Sequence, residues 1–433
     1  MKVIIIGAGL AGLGAGLELQ RQGIDFEVLE ATDSPGGLAK TDVLGDFYFD
    51  YTGHYLHVKT EEGFKDLIED TVPFTRIKKE SAVLVANKIV PYPIQYNLKH
   101  LDSDTITNIT NEVEGLQNMP KASGNTLTEF LEEHFGHTLV NLFFKPYNEK
   151  LWGKSLNLLP KNCLGNYFPK IDLSLLLEGC TRETVYAGYN DYFYYPESGK
   201  IGSMCDALAL RINQNIRYST KVTEIDYQDK KCYDSNGNEY TYDHLITSLP
   251  LNKIYETVSA NADNHSLHYT SLKNVRLVIE GEMLHSYHWL YIADPEVPFY
   301  RIGFTQNVST ETCPPGFVNI SIEIEITNKD YSDQEISELA IKYLTDYGLI
   351  RYQGIHLITS TVISPAYTYS GGPSQELDKY FNFLKRNNIH SIGRYGLWKY
   401  FSMEEAYLSG KHLIKNVINQ PHEEFRQKAG AVG

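Results

Sequence analysis

Val3-Ile4-Ile5-Ile6-Gly7-Ala8-Gly9-Leu10-Ala11-Gly12 decides how the first part of the chain folds. Four apolar residues in an unbroken run have the pattern of a strand covered on both faces. Leu13 and Leu17 then recur at helical spacing, with Glu18, Gln20 and Arg21 nearby, which predicts a helix over Leu13–Gln22 closed by Gly23. A second strand, Asp25–Leu29, ends in Glu30, eighteen residues past Gly12. Between a strand and a helix, the Gly7, Gly9, Gly12 spacing permits a tight turn. Backbone N–H groups, with Leu10 and Ala11 among them, can then approach a pyrophosphate at the helix N-terminus, and Glu30 can accept hydrogen bonds from ribose hydroxyls. The start also has some look of a secretory signal. It lacks an adequate charged leader, and the glycines and charges that follow read as a strand feeding a turn.

The chain has 433 residues, enough for two or three units, and its 42% hydrophobic and 21% charged composition is that of a globular protein. The formal charge is −15, with no Lys/Arg patch, which argues against a nucleic-acid partner. An anionic ligand therefore needs a local positive pocket. Cys163, Cys180, Cys205, Cys232 and Cys313 are scattered and never spaced as CxxC, so neither a disulfide framework, nor a zinc site, nor any other metal is expected. A reducing, cytoplasmic location fits. No run of about 18 apolar residues exists to span a membrane.

Residues 96–185 read mostly helical, with Leu127–His134 and Leu139–Phe144 the clearest segments. Residues 270–330 read as strands: Val275–Ile279, His288–Ile292 and Val318–Ile322. Ser103–Asn111 and Gln228–Glu239 are expected to be turns. Lys221–Tyr227, a turn at Asn236-Gly237 and then Tyr242–Pro250 predict a hairpin leading into a buried strand. Ile389–Gly396 is expected to be a strand running into a turn, and Met403–Val417 a helix whose first-turn N–H donors suit an anionic group.

A second glycine pair follows the ribose acid in Ala31-Thr-Asp-Ser-Pro-Gly36-Gly37-Leu38. With it the chain resembles the amine-oxidase-like FAD superfamily. The resemblance implies FAD, with Ala31, Gly36, Gly37 and Leu38 along the cofactor and Val222 beside the adenine. Gly53, His54, Gly393, Arg394, Ser402 and Met403 complete the flavin end. The implied fold class is α/β: a Rossmann-type FAD-binding domain, interrupted, with a helical insert and a mixed/antiparallel β-sheet substrate domain. FAD-binding parts are expected at 1–90, 191–270 and 386–433, the helical substrate domain at 91–190 and the sheet at 271–385. Substrate is expected between the insert and the sheet.

Further segments narrow the resemblance: Asp50-Tyr-Thr-Gly-His54, Val90-Pro-Tyr-Pro-Ile-Gln95, Phe144-Lys-Pro-Tyr-Asn-Glu-Lys-Leu-Trp152, Trp289-Leu-Tyr291 with Pro298-Phe-Tyr-Arg301, and Gly393-Arg-Tyr-Gly-Leu-Trp-Lys-Tyr400. In this order they resemble the UDP-galactopyranose mutase family. That resemblance implies a redox-neutral exchange of pyranose and furanose rings in a nucleotide sugar, most simply a UDP-sugar. Reduced FAD there attacks the anomeric carbon through N5 and displaces the diphosphate. NAD(P)H could reduce the cofactor, and a homo-oligomer is allowed.

In this reading the catalytic set is His54, Arg301, Tyr367 and Tyr400. His54 lies beside the flavin, and the other three hold the leaving diphosphate. Tyr147, Asn148 and Trp152 enclose the uridine and sugar, while Tyr92, Gln95, Phe143 and Tyr291 offer stacking and amide contacts. Two departures stand out. The family's second diphosphate arginine falls at or beside Tyr167, with Lys170 the nearest cation, and Ser402 stands where bacterial mutases often carry Asp. The alternatives are a flavin oxidoreductase of the amine oxidase or desaturase kind, and a flavoprotein without catalysis. An amine oxidase wants an apolar aromatic cage and no phosphate clamp.

Overall fold

The computed structural model describes residues 1–117, 124–161, 163, 172–182, 191–258, 267–370 and 374–418. Its first sheet grows from the glycine-turn segment. Lys2–Ile6, buried on both faces, pairs in parallel with Asp25–Leu29 on one side and His244–Thr247 on the other. Ile216–Arg217 and Ile389–Ser391 extend the two flanks, also in parallel. Four distant stretches of chain thus build one five-stranded parallel sheet. Strand order reverses between Lys2–Ile6 and His244–Thr247. That switch point is where an open α/β sheet leaves a crevice for a ligand.

The helix after the glycine turn runs Leu10–Arg21, three residues earlier than the leucine spacing indicates, and Gly23 ends it at φ +69°. Met403–Leu413 packs closely along it: a Cβ at Gly410 would lie 1.9 Å from the Ala11 carbonyl oxygen, and one at Gly14 2.3 Å from that of Tyr407. The C-terminal helix is thereby fixed against the turn that opens the site.

The second sheet has seven strands in the order Ile350–Ile363, Leu272–Met283, Phe317–Glu325, Arg301–Gly303, Trp289–Ile292, Ser81–Val85 and Lys88–Pro91. All its pairs are antiparallel except Trp289–Ile292 with Ser81–Val85, so it is mixed. Residues 81–91 thus belong to this sheet rather than to the nucleotide sheet with which they group in sequence. Alternation fixes its two faces. Ala82 and Leu84 join the core under helix Asp333–Asp346, while Val83 and Val85 join the core of the helical layer.

Two turn expectations are overturned. Ser103–Asn111 lies in a helix, Ser103–Gln117. Its Ser/Thr/Asn content hides an apolar stripe, with Ile109 and Val113 buried. Asp102 accepts from the Thr105 N–H at 2.9 Å, and the hydroxyls of Thr107 and Thr110 bond back to the carbonyls of Ser103 and Ile106. The loop read over Gln228–Glu239 contains a strand, Lys231–Asp234. It is the middle of an antiparallel meander with Val222–Asp226 and Glu239–Thr241, and Asn236-Gly237 turns between its second and third strands. Tyr167 and Lys170 lie outside the described residues.

Helix Lys145–Trp152 is tied to the second sheet by one half-buried cation. Lys150 Nζ donates to the carbonyls of Asp294 (2.7 Å), Val297 (3.2 Å) and Phe299 (3.2 Å), in the segment that leads to Arg301. Lys150→Met leaves three carbonyls without their donor. It is expected to lower stability by about 1–3 kcal/mol, read by urea unfolding. A cost below about 0.5 kcal/mol, the range of ordinary surface changes, would show that the segment is held without it.

Candidate active site

At the C-terminal ends of the parallel strands, three glycine segments converge. Gly7 has φ +97°, and a Cβ there would stand 2.3 Å from Ser248 Oγ. Gly36 N–H donates to the Ala8 carbonyl at 2.8 Å, and Gly9 bridges to Gly36, so the two loops abut. Gly393 has φ +77°, and a Cβ there would come 2.9 Å from Ala11 Cβ. Larger residues would fill this cradle with side chain. Glu30 sits at its edge. Its Oε2 accepts the Ala8 N–H at 2.7 Å, and its Oε1 accepts the Thr32 N–H and hydroxyl. Oε2, with a single donor, keeps a lone pair for a ribose hydroxyl.

The cradle opens into one cavity of about 1080 Å³, at the upper end of small-molecule sites and long enough to pass between both sheets. Nearly every residue singled out in the sequence lines it. Ala31, Leu38 and Val222 stand at the Glu30 end, Leu10 and Ala11 at the turn, and Gly53, Arg394, Ser402 and Met403 farther in. Tyr92, Phe143, Tyr147, Asn148, Trp152 and Tyr291 wall the remaining part with Arg301, Tyr367 and Tyr400. Two residues stay outside. A Cβ at Gly12 would lie 1.9 Å from the Gly7 oxygen, so Gly12 packs helix on turn. Gln95 is not among the lining residues: it is 2% exposed within the turn Ile94–Tyr96, and its Nε2 is buried without a hydrogen-bond partner.

The charged groups are arranged asymmetrically. Arg301 is not a free cation. Its Nε and Nη2 donate to Glu323 Oε1 and Oε2 at 2.9 and 2.6 Å, while Tyr300 donates its hydroxyl to the same carboxylate at 3.1 Å. Burial opposes the Arg301 charge, but Glu323 together with Tyr367, Tyr147 and Tyr300 more than offsets it, so the guanidinium is held protonated with Nη1 outside the pair. Arg394 donates to the Ala366 carbonyl at 3.2 Å and the Phe401 carbonyl at 3.5 Å, with the Tyr400 hydroxyl as a side-chain partner. Its guanidinium lies 4.3 Å from the Tyr400 ring, which stacks near-parallel on Tyr367 at 6.1 Å. His54 Nδ1 meets Thr52 Oγ1 at 3.0 Å. Burial, then Arg394 and Arg301, push its pKa down to about 4, so it is neutral at pH 7. Ser402 caps helix Met403–Leu413 in a reciprocal box with Glu405, which takes up its own polar groups.

Among the wall residues that sequence reasoning missed, Lys79 and His57 carry titratable groups. Lys79 reads as part of a solvated Lys78-Lys79-Glu80 run, yet it is 8% exposed and lines the cavity. His57 lines it too, its Nδ1 set on the Tyr192 carbonyl at 3.0 Å. No local signal could have found either, because both are enclosed by strands far away in sequence.

The buried histidines give a pH prediction. His54, His57, His285, His288 and His390 are each pushed down to about 4, burial being the largest cause in every case. With folded values below the ordinary 6.5, the unfolded chain binds more protons between pH 6.5 and 4, and stability falls as pH drops through that window. Asp50 opposes them: burial raises it to about 7, so its contribution worsens as pH rises from 3.8 to 7. Five groups against one set the sign. The melting temperature is expected to decline steadily on acidification below about pH 6.5, and a flat profile down to pH 4.5 would contradict this assignment.

The residues present fit a flavin dinucleotide: a glycine cradle for a pyrophosphate, a carboxylate for ribose, and a helix N-terminus farther along one continuous cavity. The comparisons agree. The family described as flavin-containing amine oxidoreductases matches residues 10–413. A crystal structure of reduced UDP-galactopyranose mutase superposes with a TM-score of 0.90 at 24% identity, over 98% of this chain and 96% of that one. A CLA-producing fatty acid isomerase from P. acnes superposes at 0.64 and 14%, over 96% and 98%. By sequence, a 1-hydroxycarotenoid 3,4-desaturase of Flavobacterium sp. (strain P99-3) is 23% identical over 340 residues, 72% of this chain and 68% of that protein. The fold they share is the flavoprotein amine-oxidase type. Among the described residues no helix is long and apolar enough to cross a membrane.

Proposed function

Because the chain belongs to the family of flavin-containing amine oxidoreductases, and so is a flavin-dependent enzyme of that superfamily, we propose that it isomerises a nucleotide sugar, a UDP-sugar in the simplest case, without net redox change. The observation that carries this reading is the part of the cavity wall beyond the pyrophosphate cradle. There Arg301, Arg394, Tyr367 and Tyr400 gather cationic and hydroxyl donors beside the aromatic pocket of Phe143, Tyr147 and Trp152.

When bound and reduced, FAD supplies a nucleophilic nitrogen that is regenerated at the end of the cycle. The chain's own residues do the rest. Arg301 Nη1 and the hydroxyls of Tyr367 and Tyr400 donate to the diphosphate as negative charge gathers on it. Phe143 and Tyr147, stacked at 5.5 Å, offer ring faces to the pyrimidine, and Asn148 stands beside them. Neutral His54 leaves the adjacent Arg394 and Arg301 as the cations of this corner.

A second reading, a desaturase or oxidase, draws support from the carotenoid desaturase relative. Against it, a hydrocarbon substrate would leave Arg394 and Lys79 desolvated with no anion to meet them. Thermal-shift titration of the FAD-loaded protein with UDP, dTDP and GDP tests the choice, since a ligand of the folded state raises its stability by mass action. At least one diphosphate is expected to raise the melting temperature. No shift with any of them, alongside a shift with a polyene, would overturn the proposal.

A further inference from the structure

Lys79 is 8% exposed, and its ammonium enters the cavity 4.6 Å from the centre of the Tyr92 ring and 5.5 Å from that of Trp289. Among the described residues no carboxylate pairs with it and no carbonyl accepts from it. Burying an ammonium outside any ion pair is costly, and the field of Asp191 together with the ring faces recovers only part of that cost. A methionine would fill the same space without the penalty. A retained charge here points to an anion supplied by the ligand.

Its position says which part of the ligand. Arg301 and Arg394 both act electrostatically on His54, but neither acts on Lys79, whose one charged influence is Asp191. Lys79 is therefore a cationic point of its own, set over Tyr92 and Trp289 rather than among the Arg301, Tyr367 and Tyr400 donors given to the diphosphate. Its surroundings suit a sugar ring. Tyr92 and Trp289 present flat faces, and His57, which does sense Lys79, has its Nδ1 committed to the Tyr192 carbonyl. In that neutral ring Nε2 is the acceptor, free for a hydroxyl.

We propose that Lys79 reads a carboxylate on the glycosyl half of the substrate, which makes the substrate class a nucleotide-linked acidic sugar of the UDP-hexuronate kind. This rests on the nucleotide-sugar reading above and adds to it the charge of the sugar.

The test is titration calorimetry on the FAD-loaded protein with UDP, UDP-glucose, UDP-galactose and the two corresponding UDP-hexuronates. Wild type is expected to bind a hexuronate about tenfold or more tighter than its neutral parent. Lys79→Met should erase that preference and Lys79→Arg should keep most of it. Lys79→Gln, a polar neutral variant, stands in if the methionine variant does not fold. Equal weakening of all five ligands in the methionine variant would place Lys79 on the diphosphate and overturn the proposal. So would a wild type indifferent to the carboxylate, and in that case UDP binding would leave the broader reading standing. If UDP itself fails to bind, both fall together.

Discussion

Arg301→Ala is expected to lower folding stability by about 3–5 kcal/mol, and to weaken nucleoside-diphosphate binding by about 2–4 kcal/mol. Both effects come from one carboxylate. Glu323 is 2% exposed and takes two of its three hydrogen bonds from Arg301. Without the guanidinium it stays buried with only the Tyr300 hydroxyl, and the loss exceeds anything the intact pair contributed. The double variant Arg301→Met with Glu323→Leu removes both charges and is expected to regain most of the lost stability. It should still bind UDP as poorly as the single variant, because the donor facing the cavity is gone. Urea unfolding and UDP titration of both variants check this. A double variant no more stable than Arg301→Ala would show that the pair does not act as a unit. Unchanged UDP affinity in either would remove Arg301 from the diphosphate site.

What the sequence disclosed and what it hid follow from the range of the forces involved. Gly7, Gly9, Gly36 and Gly37 were readable because the constraint on each lies within a few residues: a left-handed φ or a turn between strand and helix. Glu323 was not. Val318-Asn-Ile-Ser-Ile-Glu-Ile alternates as a half-exposed strand does, which sends Asn319, Ser321 and Glu323 toward solvent. In the fold that polar face is covered instead. Asn319 and Glu323 are buried, Ser321 donates to Asn274 at 2.7 Å, and Arg276 of the neighbouring strand reaches Asp42 from the nucleotide side. The second sheet turns its polar face toward the site, and only the meeting of two distant segments reveals it. Lys79 was hidden in the same way, since the strand Trp289–Ile292 that encloses it comes some two hundred residues later. Gln95 shows the converse: a motif match supplied a residue type, and the turn Ile94–Tyr96 buries it outside the cavity lining.

Turnover of a nucleotide sugar is expected with the cofactor reduced, and to be at least about a hundredfold slower with it oxidised, a barrier difference near 2.7 kcal/mol. An isomerisation moves no net electrons, so a reductant such as dithionite or NAD(P)H is needed only to prime the protein and is not consumed with each turnover. The chain's part is electrostatic. Departure of a diphosphate concentrates negative charge where Arg301 Nη1, Arg394, Tyr367 and Tyr400 converge, and these donors are already in place before reaction. The Tyr367 hydroxyl stays protonated throughout, because burial holds its pKa above the ordinary value. An oxidase built on this fold would behave in the opposite sense. It would begin oxidised, bleach on meeting substrate and recolour as oxygen is consumed, and the cations of this corner would only hinder loss of hydride from a neutral substrate. The measurement incubates dithionite-reduced protein with UDP-, dTDP- and GDP-linked sugars under nitrogen and follows isomers chromatographically, with oxidised protein in an oxygen electrode alongside. Product from the reduced form without stoichiometric loss of reductant is the expected result. Turnover by the oxidised form alone, with peroxide released, would assign the chain to the oxidase chemistry of its family, and the phosphate-facing donors would then need another ligand.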